Sequence, residues 1–275
     1  LSEYPELQAK LWDKLRSSKF EDKSAKSDLE LMEALGLLDC NAYFDNVDTP
    51  QPQDAIKISH YLLEEGILQN QDNGLYTITN LGAILFAKNL TAFPKLSRKA
   101  IRVVQYSDNS RLNMLKEEIG GKGYVVGFEG LMKYIEALIP TREVIIGAKR
   151  EKKSAYPMLA IREAIANALI HQDFSISGTG PVLEIFETRI EITNPGIPLV
   201  DIRRIIDNPP KSRNEKLAAL MRRLGMCEEL GTGWDKITIT CELSCLPAPK
   251  IDLYSDSTKV SLFSEKTFSN ISNTG

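Results

Sequence analysis

The chain has 275 residues, 43% of them hydrophobic, with 34 basic against 37 acidic side chains and a net charge of −3. That length fits one large or two ordinary globular domains. The near balance of charge excludes a surface coated in basic residues for nucleic acid, while leaving room for a local patch.

The four cysteines, Cys40, Cys227, Cys241 and Cys245, are too sparse for a disulfide framework, and with only His60 and His171 beside them they make no zinc set. Cys241 and Cys245, four apart, are expected on one helix. With no secretory signal and no apolar run long enough to cross a bilayer, the expected setting is a reducing cytoplasm without membrane contact. Because the chain opens on Leu1 rather than Met, a preceding segment with a function of its own is expected.

The first third reads as short helices, "DLELMEALGLL" at 28–38 and "QDAIKISHYLLEEGIL" at 53–68, with Gly66 breaking the second pattern. Asp72, Asn73 and Gly74 then make a turn before the strand "LYTIT", and an apolar helix follows. A helix, a hairpin-like wing and another helix outline a winged helix. A small helical subdomain with one hairpin packed on its neighbour fits equally well. Lys95, Arg98 and Lys99 form a candidate basic patch for DNA phosphates, or an ordinary solvated face.

A domain boundary is expected near residues 90–98, giving a helical segment over 1–92, an α/β unit over 93–265 and a flexible tail over 266–275. "KAIRVVQY" (99–106) alternates as a strand, a polar connection follows, and "GFEGLMKYIEALIP" reads as a helix stopped by Pro140. "EVIIGA" (143–148) is a short strand, and "KREKK" (149–153) reads as an exposed connection.

From Tyr156 onward the pattern is a helix, the strands "PVLEIFE" and "RIEITNPG", helical stretches "DIRRIID", "RNEKLAALMRRLG" and "GWDKITITCELS", and closing strands "KIDLY" and "KVSLF". Strands clustered after a helix, without strict βαβ alternation, predict an α+β two-layer sandwich.

Within "IREAIANALIHQDF" (161–174), Glu163, Asn167 and His171 recur every four residues on an otherwise apolar helix. One helical turn apart, Glu163 and Asn167 leave the same face. A carboxylate beside an amide oxygen suits Mg²⁺: the amide oxygen binds the ion while the carboxylate holds or deprotonates a water. His171 continues the line toward a phosphate or the same water. The structural alternative pairs Glu163 with a cation such as Arg162 or Lys153 and leaves Asn167 and His171 to satisfy backbone groups.

Two glycine turns favour a ligand site. Asn194, Pro195 and Gly196 end a strand where a ligand can approach the backbone closely. Gly231, Thr232 and Gly233 precede a helical pattern, offering N–H groups and a positive dipole end to a phosphate, or an ordinary helix entry capped by Thr232.

In that order the pieces resemble the GHKL ATPases, the nucleotide-binding fold of gyrase, the histidine kinases and MutL. The N box E-x-x-x-N-A is matched from Glu163 to Ala168, "NPGIP" sits at the first glycine box, and "LGTG" resembles the glycine box of the ATP lid. The chain is more similar still to a divergent subgroup labelled RecG-related helicases or transcriptional regulators, on "YPMLAIREAIANALIHQDF", "RIEITNPGIPL", "SRNEKLAALMRRLGMCEELGTGWDKI" and "LYTITNLGAILFAKNL". This resemblance spans roughly residues 70–250. In that subgroup an AlbA-like, Schlafen-type domain commonly comes first.

The resemblance implies ATP and Mg as cofactors, Glu163 as the residue that activates water, and Asn167 as the Mg ligand. It places His171, Asn194, Gly196, Gly231, Thr232 and Gly233 around the nucleotide, with Lys211 and Arg213, from the lid stretch "IDNPPKSRNEK", at the phosphates; Asn214 meets phosphates there or caps the next helix. No G-x-x-x-x-G-K-[ST] loop occurs, so no P-loop helicase motor is encoded here. The family pattern D-x-G-x-G is altered: Ile192 stands at the adenine-reading aspartate and Asn194 at the first glycine. Either Thr193 or Asn194 reads the base in a shifted register, or adenine is not read, or the pocket keeps only the fold.

Three functions fit. One is an ATP-binding, weakly ATP-hydrolysing regulatory module; another is a non-catalytic DNA-binding and dimerisation scaffold with a degenerate nucleotide pocket. The last is a defence or stress effector with its chemistry in the preceding segment. DNA contact is expected through the N-terminal part, and a homodimer is the expected assembly.

Overall fold

A computed structural model of the chain describes residues 19–146, 149–200, 211–227 and 233–265. The expected helix "DIRRIID", Gly231, Thr232 and the tail lie outside the described residues, as does the first part of the lid stretch.

The first part is a three-stranded sheet with helices. Strand β1 (Ser24–Leu29) is followed by α1 (Leu31–Leu37), α2 (Cys40–Asn46) and α3 (Ala55–Glu64), and then by the hairpin β2 (Leu68–Asn70) and β3 (Tyr76–Thr79). β3 lies in the middle, antiparallel to both partners. The α3 helix starts where the Asp54 carboxylate accepts the Ile56 N–H and stops before Gly66, whose φ of +70° only glycine adopts readily. Gly74 (φ +79°) makes the expected hairpin turn. Helix α4 (Asn80–Phe86) begins at Thr79, whose hydroxyl accepts the Gly82 N–H at 3.0 Å.

The second part is built on a six-stranded mixed sheet. Its strands are β4 (Arg102–Tyr106), β5 (Met114–Ile119), β8 (Val182–Ile185), β9 (Arg189–Pro195), β10 (Lys250–Leu253) and β11 (Ser257–Phe263), in the order β10-β11-β9-β8-β4-β5. Only β4 and β8 run parallel. Helices α5 (Tyr124–Leu138), α6 (Met158–His171), α7 (Glu215–Arg223) and α8 (Gly233–Leu243) complete it, α6 packing on β9 and on α8. A separate hairpin pairs β6 (Thr141–Ile146) with β7 (Lys149–Ser154). The chain is thus mixed α+β, with the strand clustering expected of an ATPase-like sandwich.

Four expectations need correction. "KREKK" is strand β7 rather than a connection, and the polar connection after β4 contains strand β5. Residues 28 and 29 belong to β1 instead of the first helix. Cys245 lies beyond the end of α8, with φ +54°, so it does not share a helix with Cys241.

The first part touches the second through helices α5 and α7 and through Phe174, just after α6. Phe20 stacks on Phe174 with centroids 4.1 Å apart, Lys216 pairs with Asp22, and the buried Glu21 accepts the Leu217 N–H at 2.5 Å. Leu217 is the third residue of α7, so a carboxylate from the first part caps a helix of the second. Burial raises the Glu21 pKa above its ordinary value.

Candidate functional site

Helix α6 is apolar almost all round, which is why it sinks between the sheet and α8. Glu163 is 1% exposed. The neighbouring Arg162 points elsewhere, donating to the Gly225 carbonyl at 2.7 Å and lying over the Phe128 ring. Of the two cations considered for Glu163, one is therefore engaged away from it, and the Lys153 side chain lies outside the described ones.

Glu163, Asn167 and His171 line a cavity of about 690 Å³, within the usual range of small-molecule sites. Asn194, Gly196, Lys211, Arg213 and Gly233 line it too. Eight of the ten expected site residues are thus gathered round one hollow, and the other two, Gly231 and Thr232, lie outside the described residues.

At one end stands the start of α8. A Cβ built on Gly233 would lie 3.1 Å from Asn167 Nδ2 and 3.4 Å from Glu163 Oε2, so the helix N-terminus abuts the acid and the amide. The other end is the turn at Gly196. Its N–H donates to the Asp256 carbonyl and its carbonyl accepts from the Thr258 hydroxyl, both at 2.7 Å. The adjoining Pro195 carbonyl accepts the Asp173 N–H at 2.7 Å. Arg213 braces the turn, donating from Nη2 to the Ile197 carbonyl at 2.8 Å and pairing with Asp173 at 3.4 Å.

Strand alternation decides which residues of β9 face the hollow. Ile192 and Asn194 line it, whereas Thr193 is on the opposite face and is not among the lining residues. Thr193 is thereby removed as a base reader. The opposite face is charged: Arg111 makes bonds of 2.7 Å to both Glu184 oxygens and one of 2.9 Å to Glu191.

Asn214 does not face the hollow. It donates to the Ile170 and Gln172 carbonyls at 2.7 and 2.9 Å, closing the end of α6, and makes no side-chain cap of its own helix. Lys99, expected in a basic patch, is buried at 3% exposure and donates to the Ile176 and Thr179 carbonyls. It cannot meet DNA; Lys95 and Arg98 remain exposed.

Arg222, Trp234, Cys227 and Thr258 also line the hollow and were not anticipated. Arg222 was within reach of pattern reading, since Glu215, Ala218 and Arg222 share one face of α7 at steps of three and four. Thr258 and Val260 alternate on β11 in the same way.

His171 lines this hollow and is exposed within it, close to two guanidiniums. Desolvation, and then the Arg213 and Arg222 guanidiniums, push its pKa down to about 4. A histidine depressed in the folded state binds fewer protons there than in the unfolded chain, so stability falls as pH drops below about 6.5 toward 4. With two histidines in the chain, NMR titration reads this directly once His60→Gln assigns the peaks. The His171 ring is expected to stay neutral to near pH 4, and Arg222→Ala to move its titration upward. A ring that titrates at its ordinary value would contradict the assignment of those cations.

Among the described residues no three His, Cys, Asp or Glu side chains gather as a metal cage. One amide oxygen beside one carboxylate remains, the ligand number that suits Mg²⁺ shared with phosphates and water. No helix among the described residues is long and apolar enough to cross a membrane.

No curated protein matches the chain. A similar solved structure is that of the DIP2311 protein of Corynebacterium diphtheriae, with a TM-score of 0.68 and 20% identity over 93% of this chain and 50% of that one. The present chain therefore spans about half the length of that protein, and the likeness is one of fold. Residues 178–262, which hold β8, β9, α7, α8 and the two closing strands, match the HATPase_c_4 family, described as "Putative ATP-dependent DNA helicase recG C-terminal".

Proposed function

We propose that the cavity binds a Mg-nucleoside triphosphate and that the chain is the ATPase-like module of a DNA-associated regulator. The observation that carries this is convergence: the Glu163–Asn167 pair, the Gly196 turn and the N-terminus of α8 meet at one hollow of about 690 Å³. The match of residues 178–262 to an ATPase-like family supports the same reading.

Asn167 would hold Mg²⁺ through its amide oxygen, and the ion would supply charge neutralisation at the phosphates. The Glu163 carboxylate, one helical turn away on the same cavity wall, would accept a proton from an attacking water. Lys211, His171 and Arg222 bring cationic or proton-accepting groups to the triphosphate, and the α8 N-terminus adds N–H groups. Bound phosphate opposes the cations that depress His171, so binding below pH 6.5 takes up a proton.

The first part, residues 19–92, supports a second component of the reading. Its order β1-α1-α2-α3-β2-β3, with β1 paired to β3 and a hairpin behind the third helix, is compatible with a winged helix in which α3 would be the helix offered to DNA. Division near residue 92 and assembly as a homodimer belong to the same proposal.

Thermal melting with and without Mg-ATP tests the pocket. At a hundredfold excess over Kd, mass action gives about 2.7 kcal/mol, or roughly 5–10 °C for a chain of this size. Asn167→Ala is expected to remove most of that rise while melting near the wild-type temperature without ligand. An absence of any shift with millimolar ATP or ADP would sink the nucleotide reading.

A further inference from the structure

Asn194 carries a carboxamide that the protein itself leaves largely unused. The residue is 8% exposed and lines the cavity. Among the described residues its side chain makes one hydrogen bond, from Nδ2 to the Pro195 carbonyl at 3.5 Å, the outer limit of such a bond. Neither its oxygen nor its second N–H has a partner among the described residues, and a carboxamide left open to the cavity in that state calls for an explanation.

Its surroundings supply one. Strand register sets Ile192 beside Val260 and Val260 beside Ile251, so three branched aliphatic side chains form a floor running across the sheet. Asn194 is two residues along β9 from Ile192, on the same face, and its cross-strand partner is Thr258. The Thr258 hydroxyl is spent on the Gly196 carbonyl, which leaves the carboxamide as the directional group at this edge of the floor. A flat ring lying on the floor brings its edge to Asn194.

We propose that Asn194 reads the Watson–Crick edge of a purine lying on the Ile192–Val260–Ile251 floor, and that the site accepts guanine as well as adenine nucleotides. A carboxamide presents one donor beside one acceptor. Toward adenine its oxygen accepts from N6–H and its N–H donates to N1; toward guanine its oxygen accepts from N1–H and its N–H donates to O6. Ile192 offers neither group, so purine recognition falls to Asn194. This inference rests on the nucleotide reading of the cavity.

Calorimetric titration of the whole chain with Mg-ATP, Mg-GTP and Mg-tripolyphosphate tests it. Wild-type affinities for ATP and GTP should agree within about threefold, since the two bases receive the same number of hydrogen bonds. Asn194→Leu should weaken both nucleotides by roughly 10- to 100-fold and leave tripolyphosphate unchanged. Asn194→Asp, an acceptor only, should favour the two adjacent donors of guanine over adenine by about tenfold. Asn194→Ala repeats the first comparison should leucine overfill the site and lower the melting point.

Unchanged nucleotide affinity in both Asn194→Leu and Asn194→Ala would overturn the inference, as would a wild-type preference for ATP above about thirtyfold. The two failures are separable. If tripolyphosphate binds and nucleotides bind no more tightly, base reading fails and the phosphate site stands. If nothing binds, the nucleotide reading falls and takes this inference with it.

Discussion

Gly196→Ala is expected to lower the melting temperature by roughly 10 °C and to abolish protection by Mg-ATP. The φ of Gly196 is +104°, a region that costs other residues about 1–3 kcal/mol. The added methyl would also press into the Arg213 guanidinium and lie 2.8 Å from Asp173 Cβ. Those neighbours cannot step aside cheaply. Arg213 is held by the Ile197 carbonyl, and Asp173 is held through its own N–H at Pro195 and its carboxylate at Ser175. Overpacking of this kind adds about 1–3 kcal/mol, for a total of about 2–6 kcal/mol.

Gly178→Ala separates the two contributions, because Gly178 has a φ of +76° with nothing within 4 Å of the built Cβ. It should lose only the conformational part, about 1–2 kcal/mol. Should Gly196→Ala melt within about 3 °C of wild type, the turn is not the tight junction these distances describe.

What could be foreseen from the sequence followed from local periodicity. The four-residue spacing of Glu163, Asn167 and His171 is a property of α6 alone, and a helix places them on one side wherever it packs. Alternation in "RIEITNP" likewise settles which of Ile192, Thr193 and Asn194 share a face. Glycine turns advertise themselves because few other residues adopt their backbone angles, as at Gly196 and Gly74.

What stayed hidden was set by partners distant in the chain. Strands β1, β5 and β7 read "SAKSDL", "MLKEEI" and "KREKKS", and their strand character comes from hydrogen bonding to β3, β4 and β6. Lys99 reads as surface charge, yet Phe174 and two carbonyls from the 176–179 turn cover it. Desolvation correspondingly lowers its pKa. The cap on α7 comes from Glu21, nearly 200 residues earlier, at a separation no spacing rule reaches.

Asn214→Asp should destabilise the protein at least as much as Asn214→Ala, by about 3 kcal/mol or more at neutral pH. An asparagine just before a helix ordinarily suggests an N-cap, and aspartate would serve there equally well. Here the side chain is 3% exposed and donates to two carbonyls at the end of α6, while Glu21 accepts the Leu217 N–H in the first turn of α7. Alanine would orphan those two carbonyls, at about 1–3 kcal/mol each before relaxation. Aspartate would set a buried anion against them.

The two variants differ in their response to acid. The new carboxyl would have a folded pKa raised above its unfolded value, so its penalty holds at neutral pH and is relieved as pH falls through the folded pKa. A carboxylic acid can then donate one of the two lost bonds. Chemical denaturation of Asn214→Asp and Asn214→Ala at pH 7.5 and pH 5 should therefore show the gap between them narrowing or reversing on acidification. If aspartate instead matches wild type at neutral pH, Asn214 works as a helix cap. The α6–α7 junction that walls the cavity must then be held by something else.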